Sequence, residues 1–151
     1  MTTDDTIDTL NDLIETCKDG EFGHRLSAEY ARDAEVQQFL RQHSQRYSQA
    51  ALDLQMLVAE LGGMPQDSGT AAGSLHRGWV SLKSKLSSYT DLAILEDVER
   101  GEDSALQSYR RALEAGVTAS ARPLVEAQFE HVKHGHLQVR ALRDSTRIAL
   151  N

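Results

Sequence analysis

The chain has 151 residues, 40% of them hydrophobic, with two prolines and 5% aromatic residues. That is one domain's worth of chain, long enough to bury a core, and its composition suits helices better than strands. Lys and Arg number 16 against 23 Asp and Glu, for a net charge of −7, which argues against nucleic acid and anionic membranes as partners.

No apolar run approaches the length of a membrane span, and the acidic start MTTDDTIDTL is unlike a secretory signal. A lone Cys17 has no partner for an internal disulfide. The expectation is a cytoplasmic protein in a reducing compartment.

Apolar residues recurring every three or four positions mark the helices. The first predicted helix carries Ile7, Leu10, Ile14, Cys17, Glu21, His24, Ala28 and Ala31, a heptad-like seam, with Asp4 or Asp5 as its cap. The second carries Val36, Leu40, His43, Tyr47, Ala50, Leu54, Leu57 and Leu61. Asp33 caps its start and Gly62-Gly63 stops it. So short a connection makes the two helices antiparallel.

Residues from about 62 to 90, beginning GGMPQDSGTAAGS, are rich in turn formers. Leu75, Trp79, Leu82 and Leu86 within them predict one short amphipathic helix packed on the bundle. A connection this long inside a compact domain reads as a crossover. Asp91 then caps a third helix with the stripe Leu95, Val98, Glu102, Leu106, Tyr109 and Leu113, closed by Gly116. Ser120 and Pro123 open a fourth, whose stripe is Val125, Phe129, Val132, His136 and Val139, flanked by Leu124 and Leu142. The whole is an all-α, single-domain four-helix bundle over residues 1–151, two antiparallel hairpins joined by a long crossover. Met64 and Leu75 are candidate contacts of a homo-oligomer.

Each seam is interrupted by a polar residue: Glu21 and His24, His43, Glu102, and His136. Desolvating such groups costs several kcal/mol unless they are paired. Glu21 lies about 12 residues, or about 18 Å, from the turn near Asp33. Counting back along the partner helix brings His43 level with His24, and Glu102 within a turn of His136. A shared mid-bundle layer of Glu21, His24, His43, Glu102 and His136 is therefore expected. Its donors suit a single Zn²⁺, Fe²⁺ or Mn²⁺, and Glu21 with His24 has the i, i+3 spacing that turns two ligands to one ion. The other reading is a metal-free bundle, a structural or interaction module. In it the carboxylates are bonded to Tyr47, Tyr109 or Gln128, or paired with Arg46, and the polar layer sets register. Cys17, one turn before Glu21, reads as a small buried hydrophobe.

In EHVKHGH, residues 130–136, helical phase turns Val132 and His136 inward, Glu130 and His134 outward, and His131 to a flank. No Ser-His-Asp order, phosphate-cradling glycine loop or zinc-finger cysteine spacing occurs.

The segments TCKDGEFG, GSLHRGWVSLK, ILEDVERGEDSAL and VEAQFEHVKHGHLQVRALRD resemble the bacterial ferritin-like four-helix-bundle family of unknown function, over nearly the whole chain. The resemblance implies the ferritin-like fold, with the crossover between helices two and three, and no particular activity. A role in metal handling or stress fits it. The wider superfamily builds a di-iron centre from a Glu on each of two helices and Glu-x-x-His on the other two. Here Glu21 and Glu102 match the single glutamates, but Lys133-x-x-His136 and Leu40-x-x-His43 stand where Glu-x-x-His belongs. Two bridging carboxylates are missing, which argues against di-iron oxidase or ferroxidase chemistry. Glu99, on the flank of helix three, is the nearest substitute.

Overall fold

The computed structural model describes residues 1–67, 85–86 and 88–150. Its helices are α1 (Thr3–Tyr30), α2 (Ala34–Glu60), α3 (Asp91–Ala115) and α4 (Arg122–Leu150), an all-α four-helix bundle. None of them is long and apolar enough to cross a membrane.

Local chemistry sets the helix ends. Thr2 caps α1: its hydroxyl accepts the Asp5 N–H, and the Asp5 carboxylate accepts the Thr2 N–H. Asp5 therefore completes a capping box rather than serving as the cap. Asp33 caps α2 as expected, accepting from the Glu35 and Val36 N–H groups. Gly62 and Gly116 follow α2 and α3 with φ of 86° and 82°, where a side chain would be strained. Thr90, not Asp91, caps α3. The Asp91 carboxylate instead accepts the backbone N–H groups of Arg32 and Asp33, at 2.9 Å each, in the α1–α2 turn.

That contact puts the start of α3 beside the end of α1. At the other end of the bundle, the Thr118 N–H after α3 donates to the Thr6 hydroxyl near the start of α1. The chain leaving α2 lies there too: Asn11 donates to the Met64 carbonyl and accepts the Gln66 N–H. So α1 runs up, α2 and α3 run down, and α4 runs up. The end of α2 and the start of α3 lie at opposite ends of the bundle. The short helix expected around Leu75, Trp79 and Leu82 falls on residues outside those described. Leu86, the last residue of that stripe, is buried against Leu95 and Val139 in the upper core.

Two seams shift in phase from the sequence reading. In α2 the buried residues move from Ala50 and Leu57 to Ala51 and Val58, the drift of a straight 3.6-residue helix off a strict heptad. In α4 the buried positions between Val125, Val132 and Val139 are Gln128 and Gly135, not Phe129 and His136.

The apolar core falls into two clusters. The lower holds Leu10, Ile14, Leu54, Tyr109 and Val125. The upper holds Leu26, Leu40, Leu95 and Val139. Each fully buried large aliphatic side chain contributes about 1.5–3 kcal/mol. A few of them offset the cost of one desolvated polar layer between the clusters.

Candidate metal centre

Between the two clusters the bundle buries His24 of α1, His43 of α2 and Glu102 of α3. One donor atom from each lies within 4.8 Å of the others, and Glu102 is only 1% exposed. The level assigned to His24 and His43 from the sequence agrees with their rings, which stack with centroids 6.0 Å apart and planes 18° apart.

His24 is oriented from both sides. Its Nδ1 lies 2.7 Å from the Gly20 carbonyl oxygen. A carbonyl only accepts, so Nδ1 carries the hydrogen and Nε2 is left to face the interior. Nε2 stands 2.7 Å from Oε1 of Glu102. The other carboxylate oxygen accepts the Tyr47 hydroxyl at 2.7 Å. Burial pushes the Glu102 carboxyl up, but the His24 hydrogen bond and charge outweigh it, helped by the Tyr47 hydroxyl and His43, and leave it below the usual range. Glu102 is thus a carboxylate that accepts from Nε2 of His24 and from the Tyr47 hydroxyl. Burial first, then Glu102, pushes the Tyr47 phenol well up, so Tyr47 keeps its proton and donates.

His43 is neutral. Burial, followed by the neighbouring charge on His24, brings its imidazole down to about 4. Its ring packs 4.1 Å from that of Phe39.

Two glycines make this arrangement fit. A Cβ on Gly20 would come within 2.8 Å of the Tyr47 ring, and one on Gly135 within 2.9 Å of Cε1 of His43. α4 therefore supplies no donor to the cluster but a space. What a glycine leaves empty is visible only once the partner ring is in place.

Of the five residues expected in one layer, the structure brings together His24, His43 and Glu102 and leaves two apart. Glu21 faces the flank of α1, 3.5 Å from Arg25 and 3.9 Å from Lys18. The Tyr47 ring fills the interior beside Gly20, the position next to it. His136 lies on the flank of α4 with Nδ1 3.3 Å from Asp103, because the buried phase of that helix passes through Gly135. Glu99 is tied to Arg143 and does not turn in. His131, His134 and Glu130 are exposed.

A second polar chain runs one layer lower. The Tyr109 hydroxyl donates to Gln128 Oε1 at 2.8 Å, and Gln128 donates to the Ala50 carbonyl at 3.2 Å. Since Tyr109 spends its only hydrogen on Gln128, the Cys17 thiol, 3.0 Å away, donates to the phenol oxygen. Burial pushes that thiol up to about 11, so Cys17 is an inert core residue, as expected.

The chemistry of the donors suits a small hard-to-borderline cation. Ligands about 2.0–2.1 Å from a tetrahedral ion stand about 3.3 Å apart. His24 and Glu102, 2.7 Å apart, would part slightly to hold one. An imidazole whose other nitrogen donates to a backbone carbonyl is the usual outer-shell arrangement of a metal-bound histidine, and the Tyr47 hydroxyl does the same for the carboxylate.

Fold and site together define a four-helix bundle with a buried two-histidine, one-carboxylate cluster. Residues 5–115 match the family described as Domain of unknown function (DUF2383), and the chain belongs to that family. The matched stretch contains all three clustered residues and ends before α4. No curated protein matches the chain.

Proposed function

We propose that this protein binds one divalent transition-metal ion, Zn²⁺, Fe²⁺ or Mn²⁺, through Nε2 of His24, a ring nitrogen of His43 and the Glu102 carboxylate. The observation that carries this is the orientation of His24. With Nδ1 committed to the Gly20 carbonyl, its remaining nitrogen meets the other two donors in a buried cluster. Loss of the shared proton to solvent would free both His24 and Glu102 for an ion. Three protein donors leave a fourth position open. A single carboxylate does not favour a two-metal site. The up-down-down-up helix order supports a ferritin-like bundle, and the reduced Cys17 a cytoplasmic setting, with metal handling or stress as the context.

The alternative is a metal-free structural or interaction module, and one observation favours it: both Glu102 oxygens already have partners. Elemental analysis of untagged protein after reconstitution separates the two. One ion per chain is expected in wild type, Glu21→Ala and His136→Ala, and far less in His24→Ala and Glu102→Ala. Wild-type protein that takes up no stoichiometric Zn²⁺, Fe²⁺ or Mn²⁺ sinks the proposal.

A further inference from the structure

Among the described residues α2 and α4 pack less closely than α1 and α2, α3 and α4, or α1 and α3, and the seam between them is hollow. A cavity of about 50 Å³ reaches from Glu102, His43 and Tyr109 outward to Arg46 and His131. A groove of about 590 Å³ continues from there to the surface, sharing Arg46, Ala50, Gln128 and His131 with the cavity. One water needs about 10–15 Å³ on this scale. The inner space therefore has room for roughly three to five waters, or one molecule of two or three heavy atoms.

Charge decides what kind of molecule. A divalent ion held by two neutral imidazoles and one carboxylate leaves a net charge of +1 in a buried site. Uncompensated buried charge is costly, and a fourth ligand bearing one negative charge removes it. The passage leading in is suited to such a ligand. Arg46 at its neck has no carboxylate partner among the described residues, although the chain as a whole carries −7. Asp53, farther out in the groove, is held by the Gln49 side chain at 2.9 Å. Ala50, Val132 and Gly135 give the cavity neutral walls beside Arg46, so the guanidinium attracts an anion without trapping it.

We propose that the α2–α4 seam is an inlet for a small monovalent anion of two or three heavy atoms, which passes Arg46 and takes the open position of the ion. This rests on the metal-binding reading above.

The test uses full-length protein loaded with Co²⁺ as a spectroscopic stand-in, and azide as the probe. Cobalt stoichiometry is measured first, then the visible Co²⁺ spectrum is followed as azide is added. Wild type is expected to bind one Co²⁺ and to show a saturable spectral change with azide. Arg46→Gln should weaken azide on the order of tenfold, and Arg46→Glu further, with cobalt stoichiometry unchanged in both. Both substitutions are at an exposed position and leave the core intact. One bound Co²⁺ with no response to azide overturns the inlet and leaves the metal site standing. An azide affinity indifferent to Arg46 overturns the role of the seam. Failure to bind Co²⁺ overturns the metal site, and the inlet with it.

Discussion

His43 is the residue whose protonation the fold opposes most plainly. It is neutral when buried and ordinary when unfolded, so the unfolded chain binds more protons between about pH 6.5 and the folded value of about 4. Stability therefore falls as pH drops through that window, by up to about 3 kcal/mol. Glu102 acts in the same direction lower down, because its depressed carboxyl must be protonated as the chain acidifies. Urea titrations of chelator-treated protein between pH 7 and pH 4 should show wild type losing stability more steeply than His43→Gln. Parallel curves would mean that His43 carries no such penalty.

At the scale of the helices, most of the architecture is legible in the sequence, because apolar spacing and the Asp33, Gly62 and Gly116 signals each act within a few residues. Phase is harder. Val125, Val132 and Val139 fit both possible faces of α4, and Phe129 and His136 make the more persuasive pair. The helix buries Gln128 and Gly135 instead, since Tyr109 needs the amide and His43 needs the space, and both demands come from other helices. For the same reason Glu21 looked equivalent to Glu102. Nothing local says that Tyr47 will occupy the interior beside Gly20. Asp91 is another long-range partner that reads as local. Its carboxylate ties the α1–α2 turn to the start of α3, and Asp91→Ala should lower stability by about 1–2 kcal/mol. The measurement is the urea midpoint, with the slope of the transition unchanged. An unchanged midpoint would show that water replaces the carboxylate at no cost.

For the whole molecule, a polar layer divides two apolar clusters, and an ion in that layer is linked to folding. Free metal at about a hundred times its Kd adds about 2.7 kcal/mol. In a chain of this size that corresponds to roughly 5–10 °C in Tm. Adding chelator should lower the wild-type Tm by that amount and leave Glu102→Gln unmoved. A wild-type Tm insensitive to chelator favours the metal-free bundle.

Four polar bonds of the mid-bundle have one direction in common. His24 to Glu102, Tyr47 to Glu102, Cys17 to Tyr109 and Gln128 to Ala50 each join the first hairpin to the second. Apolar faces tolerate sliding, since one methyl group serves much like another. These bonds do not. A slip of one helical turn, about 5.4 Å, would bring Val98 or Leu106 opposite His24 in place of Glu102, stranding a buried imidazole and a buried carboxylate together. The layer is the notch that lets the two hairpins lock at a single height.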